Sequence, residues 1–223
     1  MAAASASERG LKVLLLERNR KLGVKILMSG GTRCNITHNC SSAEIVNAFG
    51  RQGKFLHSSL AALSPIQVIE KIESQGVATK IESTGKIFPV SNKAIDVRDA
   101  LVGLARESGA EILNEHCVDA VSKSGDQFVV QSAGQRLTSR SLLITTGGKS
   151  YPGCGTIGDG YGWAKQFGHS IVDTVPALVP ILNNAPWANE LKGITIEKSK
   201  VEVWQPQIQP DSVEGLTLSL IHI

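Results

Sequence analysis

Apolar positions occur in short runs set off by Gly, Ser, Asp and Asn, and no run reaches the ~18 residues of a membrane span. Ala2 to Arg9 has a helix-forming composition and meets Gly10, a common residue just past a helix end. Leu11 to Glu17 contains the unbroken apolar run Val13 to Leu16, which predicts a strand buried on both faces of a parallel sheet. Arg18 to Thr37, with Gly23, Gly30 and Gly31, reads as a loop. Ser42 to Phe49 and Ser64 to Ser74 are predicted helices. Ser64 is placed as a cap, Pro65 suits the first helical position, and Gly76 closes the second helix. Val77 to Ile81 and Lys86 to Phe88 read as strands joined at Ser83-Thr84-Gly85. Lys93 to Ser108 repeats apolar residues at helical spacing through Ile95, Val97, Ala100, Leu101, Leu104 and Ala105, and stops at Gly109.

Four β-like segments follow: Glu111 to Cys117, Ala120 to Lys123, Gln127 to Gln131 and Arg136 to Thr145. Turn signals at Ser124-Gly125-Asp126 and Ala133-Gly134 make the last three a meander. The final segment ends in Leu142-Leu-Ile-Thr-Thr-Gly-Gly148, a predicted strand entering a Gly turn. Gly158 to Gly168 is a predicted helix, and from Pro176 onward Pro residues and the alternation of Val201 and Val203 suggest a β-rich unit. The pattern predicts an α/β architecture with an antiparallel meander inserted before a late strand of the main sheet.

Composition narrows the function. A hydrophobic fraction of 42% with 19% charged residues is that of a globular protein. The formal net charge is only +3, aromatic residues make up 4%, and no long Lys/Arg block occurs, so no nucleic-acid partner is expected. No membrane association is expected either. Cys34, Cys40, Cys117 and Cys154 form no Cys-x-x-Cys pair and lack histidines at zinc-finger spacing, so no metal is expected. Reduced thiols fit a cytoplasmic protein, and the Ala/Ser-rich start leaves organellar import open.

Three constellations could carry chemistry. Glu17 directly follows the apolar run. A carboxylate at the carboxyl edge of such a strand can accept from two ribose hydroxyls, although many strands simply end in Glu. The Gly-x-Gly-x-x-Gly loop expected ~20 residues upstream is not in the chain. Lys21 to Thr37 contains Gly30-Gly31, which lets backbone N–H groups approach an anion or a planar ring, and Lys25 and Arg33 supply charge. A surface loop rich in turn formers is the competing reading. Thr145-Thr-Gly-Gly148 again places bare backbone at a sheet edge, where open α/β sheets bind ligands. Gly158-Asp-Gly160 could aim N–H groups at a ligand, but Asp159 is explained as well by its place at a helix start.

Lys25 to Thr37 reads KILMSGGTRCNIT. Thr146 to Pro152 reads TGGKSYP, and GDGY (158–161), Gly168-His169 and Pro176-Ala-Leu-Val-Pro180 follow. Together these resemble the NAD(P)/FAD-dependent oxidoreductases of the bile-acid-reductase-like and aminoacetone-oxidase-like group. The chain departs from that pattern at Thr32, where a third Gly is usual, and at His38, where Asn is usual. The resemblance implies a Rossmann-like, glutathione-reductase-type FAD-binding domain over 1–180 and the start of a substrate-side β domain over 181–217. It implies FAD held by Glu17, Arg18, Val24, Lys25, Gly30, Gly31, Arg33, Val118, Thr146 and Gly147. NAD(P)H is a possible electron donor and a small molecule the expected substrate. Leu218 to Ile223 is expected to be a non-native tail, with the parent protein truncated at both ends.

The expected activity is hydride transfer through flavin to or from a carbonyl- or alkene-conjugated substrate, or to oxygen. Tyr151 and His169 are acid–base candidates by type only, and Cys34 reads as a packed thiol. A nicotinamide-only dehydrogenase and a non-catalytic nucleotide-binding fragment are the alternatives.

Overall fold

The computed structural model describes residues 1–175, 187, 190, 194–205 and 208–219, without side chains from 195 onward. By its contacts the chain divides into two units, Met1–Ile171 and Val172–Ile223. In the first, α1 (Ala2–Ser7) leads through Gly10, at φ +78°, to β1 (Leu14–Leu16). β1 pairs in parallel with β5 (Glu111–Leu113), with Leu15 opposite Ile112. Glu17 extends the ladder, since its N–H donates to Leu113 O and its carbonyl accepts from His116 N, both at 2.9 Å. β1 is less enclosed than its apolar run predicts: Leu14 is 39% exposed. Among the described residues only β5 pairs with it, so one edge lacks the neighbour that full burial requires.

Residues 18–37 are not a plain loop, because α2 (Val24–Met28) forms within them. Gly23 starts it in the left-handed conformation, where a Cβ would lie 2.7 Å from Arg98 Cγ. Ile26 and Leu27 then face the main core, and that burial outweighs the turn-forming composition on either side. β2 (Thr37–His38), unanticipated from the pattern, pairs with β4 (Lys86–Pro89), which pairs in turn with β3 (Thr79–Ile81).

Local capping signals are realised in full. α3 (Ser42–Ala48) and α5 (Pro65–Glu73) each start with a capping box, Ser41 with Glu44 and Ser64 with Gln67. α4 (His57–Ala62) follows a 3-10 segment, Gly50–Leu56. α6 (Ala94–Glu107) buries Ala94, Val97 and Ala100 against Ile72 of α5 and against Cys34. Ile72, at 1% exposure, is the most enclosed of these, and full burial of such a side chain contributes about 1.5–3 kcal/mol.

The meander forms as β6 (Val118–Ser124), β7 (Gln127–Ser132) and β8 (Gln135–Ser139). The late strand expected at Leu142 to Thr145 does not form: this stretch has no ladder partner among the described residues, and Leu143 is 70% exposed. α7 (Asp159–Gln166) docks on the meander through Gln166 Nε2, which donates to Val121 O at 2.9 Å. Phe128 and Phe167 meet edge to face at 5.7 Å.

In the second unit β9 (Thr195–Gln205) and β10 (Ile208–Ser219) pair antiparallel, in keeping with the β-rich character expected there. Leu218 and Ser219 of the expected tail belong to β10. Residues 220–223 and the matching segment Pro176–Pro180 lie outside the described residues.

Candidate functional site

The carboxyl end of β1 gathers the first part of the site. Glu17 is half-buried there. Its Oε1 accepts from the backbone N–H of Asn19 at 2.9 Å and from Asn19 Nδ2 at 2.8 Å. Its second oxygen has no hydrogen-bond partner among the described residues. Asn19 Nδ2 also donates to Cys154 O at 3.2 Å, which fastens the strand end to the loop before α7.

Arg18 makes the stronger fastening. Nη1 donates to Gly155 O at 3.0 Å, Nη2 donates to the Cys117 sulfur at 3.1 Å, and Nη2 lies 3.3 Å from the Asp159 carboxylate. The bond to Cys117 and the charge of Asp159 raise the guanidinium pKa further above its ordinary value, so Arg18 is a permanent cation. Asp159 occupies the first turn of α7, where the helix dipole also favours its charge.

Lys25, on the first turn of α2, reaches the same loop. Its ammonium donates to Ser150 O at 2.6 Å and to Ser150 Oγ at 3.1 Å, 6.0 Å from the centre of the Tyr151 ring. Thr156 Oγ1 donates to Ser150 O as well, and to Tyr151 O at 3.1 Å. These bonds hold Tyr151 at φ +59°, an unusual conformation for a bulky residue. Thr146 and Gly147 lie exposed beside this loop, and a Cβ on Gly147 would sit 3.0 Å from Thr156 Cγ2.

The ten expected cofactor residues therefore fall into two groups. Glu17, Arg18, Lys25, Thr146 and Gly147 converge on the loop 147–159. Val24 flanks Lys25 on α2, and Val118 follows Cys117, the thiol that Arg18 touches. Gly30, Gly31 and Arg33 lie at the other end of α2. There Arg33 is engaged elsewhere: Nη1 pairs with Glu82 Oε1 at 2.6 Å, and the guanidinium stands 4.1 Å from the centre of the Phe88 ring. A Cβ at Gly30 would lie 2.8 Å from the backbone nitrogen of Asn35, so only Gly fits that turn.

Sequence reasoning missed Asn19, Ser150 and Thr156, the residues that tie the pieces together. It also missed the spacing Gly153-x-Gly155-x-x-Gly158 directly before α7. Half of the usual context for that spacing is present: a helix follows it, but no strand precedes it. His169 is exposed and stands apart from these bonds, while Cys34 is buried in the core as its packed reading requires. No group of His, Cys, Asp and Glu able to hold a metal occurs among the described residues.

The end of β1 and the loop before α7 thus bring together a strand-end carboxylate with one oxygen unbonded among the described residues, the backbone of Gly155, and two cations, Arg18 and Lys25, each bonded to that loop.

The chain is 31% identical over 179 residues to the 3-dehydro-bile acid delta(4,6)-reductase of Clostridium scindens, which covers 80% of this chain and 43% of that protein. It is 32% identical over 190 residues to the ribosomal RNA dihydrouridine synthase of Escherichia coli K12, 85% of this chain and 47% of that protein. The chain thus spans less than half the length of these relatives. Among solved structures, the halogenase PltM in complex with phloroglucinol and FAD aligns at 16% identity over 74% of this chain and 33% of its own, with a TM-score of 0.39. A family model described as the HI0933-like protein Rossmann domain matches residues 1–219, and the chain belongs to that family.

Proposed function

We propose that this chain is the nucleotide-binding part of an FAD-dependent oxidoreductase that reduces a carbon–carbon double bond conjugated to a carbonyl. The observation that carries the reading is Glu17, with one carboxylate oxygen held by Asn19 and the other open, facing a loop fastened by Arg18. Glu17 would accept from the ribose hydroxyls, Arg18 and Lys25 would offset phosphate charge, and Thr146-Gly147 would border the cofactor. Val24, Gly30, Gly31 and Val118 would line the remainder, with Arg33 ordering the turn that carries the glycines. Bound there, the flavin would supply hydride transfer, with NAD(P)H as a possible donor.

The relatives' names support this substrate class. A delta(4,6)-reductase of a 3-dehydro steroid and a synthase of dihydrouridine both saturate a double bond conjugated to a carbonyl. Such a bond accepts hydride at the carbon remote from the carbonyl. The size of the molecule bearing it differs greatly between the two.

The visible spectrum of the protein made from the full gene, beside that of the 223-residue chain with added FAD, tests the reading. Flavin bands that persist through gel filtration are expected, and Glu17→Gln should weaken FAD retention about tenfold, one charge-assisted hydrogen bond's worth. Absence of flavin from both preparations after adding FAD would overturn it.

A further inference from the structure

The turn that follows α2 is held in an unfavourable conformation. Gly30, Gly31, Thr32 and Cys34 have positive φ, at +56°, +65°, +68° and +62°, with Arg33 between them. Such a run persists only where its surroundings hold it. Its own backbone supplies two bonds, from Cys34 N to Ser29 O at 3.1 Å and from Arg33 N to Gly30 O at 3.3 Å. Further restraint comes from the hairpin of β3 and β4.

The hairpin reaches the turn at three points. Ile87 O accepts from Ile36 N at 2.8 Å. The buried ring of Phe88 comes within 3.1 Å of where a Cβ on Gly30 would stand, and the same ring carries the Arg33 guanidinium 4.1 Å from its centre. Glu82, directly after β3, supplies the third contact: its Oε1 lies 2.6 Å from Arg33 Nη1. The backbone of Glu82 is itself fixed, since its N–H donates to Lys86 O at 2.9 Å and its carbonyl accepts from Gly85 N at 2.8 Å. An ion pair between partly exposed side chains ordinarily contributes little, because two long side chains must be ordered to make it. Here the Phe88 ring already orders one of them. The pair therefore acts on where Arg33 lies, and through Arg33 on the turn.

We propose that Glu82 is a positioning residue of the cofactor site: acting through Arg33, it fixes the turn whose Gly30 and Gly31 would border FAD, without touching the cofactor itself. Arg33 then serves as half of a clamp on the turn and not as a cation on phosphate. The inference rests on the FAD reading for the identity of the ligand.

The test titrates FAD into the protein made from the full gene, followed by flavin fluorescence, for the parent, E82Q, R33M and E82Q/R33M. Tryptic cleavage after Arg33 without FAD is measured beside it for the parent and E82Q, which both keep that site. E82Q should raise the FAD dissociation constant about fivefold, the upper end for a partly exposed pair. The double variant should bind no worse than R33M, because both substitutions break one contact. Cleavage after Arg33 should accelerate in E82Q while cleavage after Lys165, on α7, keeps its rate. Circular dichroism melts should agree within about 2 °C.

The proposal is overturned if E82Q binds FAD as the parent does. It is overturned if the losses of E82Q and R33M multiply in the double variant, since Glu82 would then act by a route other than Arg33. A melt that falls in step with FAD affinity, with cleavage accelerated evenly along the chain, overturns it equally, because Glu82 would then support the fold at large. A parent that retains no flavin overturns the FAD reading instead, and the cleavage rate after Arg33 then decides the positioning by itself: acceleration in E82Q upholds it, and an unchanged rate overturns it.

Discussion

Thr32 departs from the glycine of the pattern that the loop resembles, and the structure makes the consequence of changing it calculable. Its φ is +68°, and Gly30 and Gly31 before it are also left-handed, at +56° and +65°. Its carbonyl accepts from Ala94 N at 2.9 Å, which supplies the start of α6 with a partner, since the N-cap Lys93 offers no side-chain cap. The conformation is therefore imposed by a bond worth keeping. An L-residue in this region costs about 1–2 kcal/mol, and a β-branched one lies toward the upper end. Thr32→Gly removes that cost and keeps the carbonyl in place. Glycine also loosens the unfolded chain, which returns about 0.5–1 kcal/mol. The net expectation is a gain of about 0.5–1 kcal/mol, or a rise in Tm of roughly 1–4 °C for a chain of this size. Thr32→Ala keeps the left-handed cost and should change Tm by less than half as much. Circular dichroism melting of the three proteins decides the matter. A lower Tm for Thr32→Gly, or an equal rise for Thr32→Ala, would refute the assignment of strain to this residue.

Two further outcomes follow from charged groups. The Glu44 carboxylate accepts from Ser41 N and Ser41 Oγ, each at 2.7 Å, and these bonds hold its pKa below the ordinary glutamate value. Its contribution is complete above the unfolded pKa, about 4.3, and is lost as pH falls through the lower folded value. Wild type should therefore lose Tm more steeply than Glu44→Gln below about pH 4.3; parallel curves would exclude the capping box as the source. Arg18→Met should release the loop 150–158, since it removes both the bond to Gly155 O and the pair with Asp159. Faster tryptic cleavage at Lys149 with a loss of about 1 kcal/mol is expected, discounted because both side chains are partly exposed. An unchanged cleavage pattern would show that Asn19 and Lys25 hold the loop without Arg18.

Much of the fold was legible because its signals are local. Ser64 and Pro65 mark a helix start by chemistry that acts within one turn. Gly76, Gly109 and Gly168 mark ends, each with positive φ. What escaped depends on distant partners. α2 forms because Ile26 and Leu27 find α6, about seventy residues later, and β2 forms because β4 is there to pair with it. Leu142 to Thr145 has every propensity of a strand but no ladder beside it. The site behaved likewise. Glu17 was visible as an acid ending an apolar run, whereas Asn19 and Ser150 act across more than a hundred residues.

Backbone strain gathers beside the candidate cofactor residues. Among the described residues six non-glycine residues have positive φ, and three of them, Thr32, Cys34 and Tyr151, lie in the two loops that carry those candidates. Strain of this kind persists only where the surroundings over-determine it. Each case has its restraint: the Ala94 N–H for Thr32, burial among Ile72 and Val97 for Cys34, and the bonds from Thr156 and Cys154 for Tyr151. Glycine would relieve the backbone cost at Thr32 and Tyr151, whereas at Cys34 it would also empty a core position. Cys34 is accounted for by the core it fills. Tyr151, 58% exposed and held against its backbone preference, has the Lys25 ammonium 6.0 Å from the centre of its ring. It sits on the loop that Arg18 and Lys25 both fasten.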